Sequence, residues 1–230
     1  RIGIVFNGSP LFTGDSGSGE SEIRKWIIEN DWLECIVSLP TKLFFNTGIQ
    51  TYIWVISNKK KNNRKGKIQL IDGSKFGTSM RKNLGEKSNY VTEEDSQKII
   101  QTYQNFEENE YSKIFDNEYF GHTKITIEQP LRKNGEVVRK KDGTLKPDSK
   151  LRDYERVPLS EDVEQYYSRE VEPHLPDSWI DYDKSKVGYE INFTKYFYKY
   201  KPLRSSEEIT RDLLELDKES ENLLEQIMDL

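Results

Sequence analysis

Residues 2–6 (Ile-Gly-Ile-Val-Phe) form an apolar run that Asn7-Gly8-Ser9-Pro10 breaks, which predicts a buried strand ended by a turn. A Gly/Ser-rich loop at 13–19 leads into residues 20–30, where Ile23, Trp26 and Ile27 fall on one helical face with Ile28 beside it. Residues 33–39 read as a second apolar strand that Pro40 ends, and residues 51–57 as a third, buried on both faces. Strand, helix, strand, loop, strand is an α/β pattern. Residues 59–67 read as a hairpin tip and 68–71 as a short strand. Thr92 opens a helix with Ile99, Ile100, Tyr103 and Phe106 on one face, and residues 124–128 alternate like a strand.

The strongest periodicity is the last. Ser205 and Glu208 form a capping box, and Ile209, Leu213, Leu216, Ser220, Leu223, Ile227 and Leu230 follow at alternating spacings of 4 and 3, an a/d seam with one polar position. From residue 207 to 230 there are nine acids and two bases, so this helix repels phosphate and suits a protein helix. An ordinary amphipathic surface helix is the plainer alternative.

Composition narrows the classes. The 230 residues are 34% apolar and 33% charged, with a net charge of −5, poorer in core material than an average soluble domain. No run is long enough to span a membrane and no signal-peptide pattern opens the chain, which predicts a soluble, cytoplasmic protein without membrane contact. Cys35 is the single cysteine and His122 and His174 the only histidines, so no metal site is expected. The chain opens directly on a strand pattern without Met, as a fragment would. Six basic residues in 59–67, and eight basic against three acidic residues in 132–152, suit phosphate contacts or, more simply, solvated turns.

The run from Asn7-Gly8-Ser9-Pro10-Leu11-Phe12-Thr13-Gly14-Asp15 on to Glu34 resembles the modification (methyltransferase) subunit of type I restriction-modification systems. So do Ile36-Val37-Ser38-Leu39-Pro40, Leu43-Phe44-Phe45-Asn46-Thr47-Gly48-Ile49-Gln50-Thr51-Tyr52-Ile53-Trp54-Val55 and Ser57-Asn58-Lys59. Lys113-Ile114-Phe115-Asp116, Lys186-Val187-Gly188-Tyr189-Glu190-Ile191 and Phe193-Thr194-Lys195-Tyr196-Phe197-Tyr198-Lys199-Tyr200 resemble its carboxyl-terminal part. The resemblance implies an α/β fold: the second half of a Rossmann-like, S-adenosylmethionine-dependent methyltransferase sheet, then a helical C-terminal region with a coiled-coil-like last helix. The strand at 2–6 is then the fifth of that sheet, and 33–39 with 51–57 its final antiparallel pair, the second inserting beside the fifth. Residues 1–130 would complete the catalytic domain, 131–202 form a basic hairpin or linker with an aromatic-rich segment, and 203–230 a partner-binding helix.

The family transfers a methyl group from S-adenosylmethionine to adenine N6 in DNA, with a specificity and a restriction subunit as partners. Its Gly-rich cofactor loop and its Asn/Asp-Pro-Pro-aromatic catalytic motif are both absent here, so no catalytic or cofactor-binding residue is expected in this chain and the chain alone should be inactive. Asn7-Gly8-Ser9-Pro10 has one proline and no aromatic neighbour.

Enzymes that modify a base in a duplex hold it flipped out against an aromatic ring. The resemblance implies that the loop before the last strand supplies that wall, naming Phe45, then Phe44, just before the turn Asn46-Thr47-Gly48. Without the resemblance both rings read as core beside Leu43. It also implies that Ile209, Leu213, Leu216, Leu223 and Ile227 dock on helices of the specificity subunit. The alternatives are a stand-alone adenine methyltransferase fragment and a non-enzymatic docking module.

Overall fold

The computed structural model describes residues 1–200 and 202–228, with side chains described up to residue 220. Two compact units divide it, Arg1–Phe197 and Tyr198–Leu230. The first unit begins with β1 (Ile2–Asn7), a one-turn α1 (Ser9–Phe12), α2 (Gly19–Glu29), β2 (Leu33–Ser38), β3 (Thr51–Ile56) and β4 (Lys67–Asp72). It continues through β5 (Thr78–Leu84), β6 (Lys87–Tyr90), α3 (Glu93–Asn105), β7 (Ser112–Asp116), β8 (Gly121–Glu128), and the two-residue strands β9 (Arg132–Lys133) and β10 (Glu136–Val137). It ends with β11 (Asp153–Pro158), α4 (Val163–Tyr166), β12 (Trp179–Tyr189) and α5 (Phe193–Phe197), while α6 (Ser206–Met228) belongs to the second unit.

Among the described residues the main sheet has the order β1-β3-β2-β4-β7. Strand β3 runs antiparallel to both β1 and β2 and separates them, and β4 is parallel to β2. The strand expected to insert beside the first does so. Alternate residues feed two cores. Ile36, Tyr52, Trp54, Ile68 and Leu70 pack on one face with Ile28, Leu11, Tyr189 and Phe193, while Cys35, Val37 and Ile71 meet Ile99 and Tyr103 of α3 on the other.

The register slips between Leu33 and Cys35, leaving Glu34 in a bulge. Its fully buried carboxylate accepts from Arg1 Nε at 2.9 Å and from the Tyr103 hydroxyl at 2.7 Å. Burial first, then Glu34, push the Tyr103 hydroxyl up to about 12.

Helix α2 corrects the expected apolar face. Ile23 and Trp26 are exposed, and the buried positions are Ser21, Arg24 and Ile28. The arginine turns inward because carbonyls await it: Nε donates to Tyr189 O, and Nη1 to Pro10 O at 2.9 Å and Thr13 O at 3.0 Å. Helix α3 begins where expected, with Thr92 Oγ1 accepting from Asp95 N at 3.1 Å. It leaves Ile100 exposed, and Phe106 lies beyond it in the left-handed region at φ 54°.

A second sheet, β11-β8-β12, carries a smaller core of Ile125, Ile127, Val157 and Val171. Buried Glu128 at its margin is held by Arg152 at 2.7 Å and Lys184 at 2.8 Å. The capping box of α6 is formed: Glu208 N donates to Ser205 Oγ at 3.1 Å, and Ser205 N to Glu208 Oε2 at 3.2 Å. No helix among the described residues is long and apolar enough to cross a membrane.

Candidate nucleic-acid interface at the carboxyl edge of the sheet

Strands β1, β2 and β4 point the same way, and their last residues lie in register through Asn7↔Thr51, Ser38↔Tyr52 and Ser38↔Asp72. In open α/β sheets this carboxyl edge is where ligands bind. Ser38 Oγ donates to Asp72 Oδ1 at 2.8 Å, and Ser74 N donates to the same oxygen at 3.1 Å, which fixes the turn leaving β4. Gly73 N donates to Ser38 O at 3.0 Å, and a Cβ on Gly73 would lie 2.6 Å from that oxygen, so only glycine passes there.

The loop between β2 and β3 rises from this edge. Lys42 N donates to Gly48 O at 3.3 Å, and Phe44 pairs with Thr47 in an isolated bridge that closes the tip. Phe45 is 62% exposed and Phe44 37%; Asn46 is exposed and Thr47 and Gly48 are half-buried. The two phenylalanines are therefore not core residues beside Leu43. An aromatic ring held in water on a hydrogen-bonded tip is suited to stacking on a base.

The β5–β6 hairpin, which sequence periodicity does not reveal, buttresses the loop. Glu86 N donates to Phe45 O at 2.9 Å, and Ser88 N and Asn89 N donate to Lys42 O at 3.0 and 3.1 Å. Asn89 Nδ2 adds a bond to Thr41 O at 3.0 Å, and Lys87 Nζ stands 5.3 Å from the centre of the Phe45 ring. Gly85, at φ 62°, comes so close that an added Cβ would lie 2.6 Å from Phe45 O.

The basic stretch 59–67 is not a hairpin tip. Strands β3 and β4 do not pair, and a 3-10 turn at Asn62–Arg64 carries the chain between them at the opposite edge of the sheet. Two of its cations are structural. Buried Lys60 reaches Asp31 at 2.5 Å and Lys67 O at 2.7 Å, and burial holds its ammonium below the usual lysine range. Arg64 donates to Gln69 Oε1 at 3.1 Å and to Tyr103 O, and its guanidinium lies 4.2 Å and 4.3 Å from the ring centres of Tyr103 and Phe106. In the stretch 132–152, Arg132 pairs with Asp177 at 2.5 Å and Arg152 with Glu128. Arg139 and Lys140 line a cleft of about 750 Å³ with Trp179 and Tyr182.

The Gly-rich loop 13–19 is anchored by its own side chains. Asp15 pairs with Lys124, and Ser16 Oγ lies 3.0 Å from His122 Nε2, which together fasten the loop to the second sheet. A Cβ on Gly14 or Gly17 would meet Ser18 Oγ or Lys186 at 2.4 Å, so the molecule's own side chains fill the space beside these glycines. Among the described residues no cluster of His, Cys, Asp and Glu is arranged to hold a metal ion.

Of the partner-helix residues, Ile209, Leu213 and Leu216 are exposed, while the side chains of Leu223 and Ile227, and Leu230 altogether, lie outside the described residues.

Residues 1–133 match the family model for N-6 DNA Methylase. The chain is 32% identical over 138 residues to the type I restriction enzyme MjaIX methylase subunit of Methanocaldococcus jannaschii, covering 60% of this chain and 23% of that protein. It is 42% identical over 74 residues to the HindI methylase subunit of Haemophilus influenzae, covering 32% of this chain and 16% of that one. A solved type I restriction-modification methyltransferase subunit from Streptococcus thermophilus aligns at 28% identity and a TM-score of 0.44, over 51% of this chain and 23% of that one. The match thus spans less than a quarter of the length of each of these longer relatives. With well over half of its residues inside the family match, the chain belongs to the N-6 DNA methylase family.

Proposed function

We propose that this chain is the carboxyl-terminal part of the modification subunit of a type I restriction-modification system, which transfers a methyl group from S-adenosylmethionine to adenine N6 in DNA. The observation that carries this reading is the position of Phe45: an exposed ring on a braced loop at the carboxyl edge of a sheet whose sequence matches the family. Phe45 would form one wall of the pocket for a flipped adenine, Phe44 would flank it, and Asn46, Thr47 and Gly48 would shape the turn. No residue of this chain is assigned to methyl transfer or to the methyl donor. The donor would supply the methyl group in the complete subunit, and the residues described here bind and orient the base.

The arrangement β1-β3-β2 supports the second half of a Rossmann-like methyltransferase sheet, with β1 as its fifth strand. Among the described residues β1 is an edge strand paired only with β3, and its Ile2 and Val5 are exposed, which suits a sheet that continues beyond β1 in the complete subunit. A methylation assay on duplex DNA tests the assignment. The complete subunit with its specificity subunit should methylate adenine N6, the chain alone should not, and absence of transfer by the complete assembly refutes the assignment.

A second reading, a docking module, is favoured by α6. Its exposed apolar residues and net negative charge suit a helix of the specificity subunit, and the restriction subunit would join the same assembly. The two readings are compatible in one chain, with residues 1–130 as catalytic-domain half, 131–202 as connecting segment and 203–230 as partner helix.

A further inference from the structure

We infer that the β5–β6 hairpin is a phosphate-gripping arm that sets the Phe45 loop on duplex DNA; the inference rests on the methyltransferase reading above. It starts from where unpaired positive charge lies. The basic stretches conspicuous in the sequence are partly consumed, since Lys60, Arg64, Arg132 and Arg152 all have protein partners. At the carboxyl edge the case is different: Lys42, Lys75, Arg81 and Lys82 are exposed and make no ion pair among the described residues. Lys87 has only the face of the Phe45 ring. Glu86 is the one acid of the hairpin, so a chain of net charge −5 gathers a positive patch around its exposed aromatic tip.

The backbone presents that charge outward. Ser79 pairs with Asn89 and Leu84 with Lys87, so Met80, Arg81, Lys82 and Asn83 face Ser88 alone and bulge from the ladder. Bulges of this kind re-aim side chains, and this one carries two adjacent cations. The same hairpin is tied to the loop by the bonds from Glu86, Ser88 and Asn89 to Phe45 and Lys42. A phosphate held at Arg81 and Lys82 therefore fixes the position of Phe45 relative to the duplex. Phosphate contacts of this type set register without reading sequence.

The test uses the complete subunit assembled with its specificity subunit, and reads duplex DNA binding against salt. Each phosphate contact contributes about 0.9 to the slope of log K against log salt. The double substitution Arg81→Gln and Lys82→Gln is expected to reduce that slope by about two and raise the DNA KM, with kcat at saturating DNA kept. The charge-preserving pair Arg81→Lys and Lys82→Arg should retain the slope. Lys61→Gln with Lys65→Gln, at the opposite edge, removes the same charge and should leave it unchanged. An unchanged slope in the Arg81/Lys82 double variant, or an equal fall in the Lys61/Lys65 control, overturns the arm while the unchanged assembly still methylates. Failure of the unchanged assembly to bind or methylate DNA overturns the methyltransferase reading and the arm with it.

Discussion

Ser16 Oγ and His122 Nε2 lie 3.0 Å apart, a hydrogen bond across 106 positions of sequence that joins the loop before α2 to the central strand of the second sheet. Burial holds the His122 imidazole below its usual range, ahead of the opposing pull of Glu190. The folded protein therefore favours the neutral ring, while the unfolded chain takes up a proton near pH 6.5. This contribution to stability is complete above that pH and is lost as the pH falls below it. The thermal midpoint should drop between pH 7 and pH 5, and His122→Asn should flatten that part of the profile; an unaltered profile in the variant would refute the linkage.

Replacing Phe45 by alanine in the complete subunit should cost catalysis and spare the fold. A ring that is mostly in water contributes little to the core, whereas stacking of a base on an aromatic ring is worth about 1–3 kcal/mol. Methylation should fall by roughly five- to 150-fold for that range, with an unchanged melting temperature. Equal losses of stability and activity would return Phe45 to a structural role.

Arg64→Ala should unfold more than it exposes. The substitution leaves Gln69 and the Tyr103 carbonyl short of a donor and opens the space between two rings, a cost of about 2–4 kcal/mol. Arg64→Lys should not restore stability, because an ammonium lacks the flat, forked donor set that lies between Tyr103 and Phe106. Urea denaturation of the three proteins measures both effects.

Removing residues 203–230 should abolish assembly with the specificity subunit while leaving the unit Arg1–Phe197 folded, since the main sheet and both of its cores lie within that unit. Co-purification of the subunits reads the outcome, and an intact complex would count against α6 as the docking element.

The parts of this fold legible in the sequence are those whose residues share one environment. Strand β3 announces itself because nearly every position is apolar, β2 and β4 through shorter runs of branched apolar residues, and the cap at Thr92 and the box at Ser205 and Glu208 are local chemistry. The buried face of α2 was not legible, because Arg24 reads as a surface residue until the carbonyls of Pro10, Thr13 and Tyr189 are brought to it from distant segments. Strands β5 and β12 lack alternation, one bulging through Arg81 and Lys82 and the other slipping register between Asp181 and Lys186. Only the family resemblance singles out Phe45 in the sequence. Its exposure depends on the hairpin that holds its carbonyl, and no periodicity encodes that.

The placement of β3 between β1 and β2 also bears on synthesis. The two flanking strands never touch, so neither ladder of this part of the sheet can close until Thr51–Ile56 exists. A nascent chain that has emerged only through β2 carries two strands awaiting a third, with apolar edges open to other chains. The loop bearing Phe45 is the tether that turns the late strand back into the waiting gap. Its length thus governs the timing of folding as well as the position of the aromatic tip, and shortening it would be felt first as aggregation during translation.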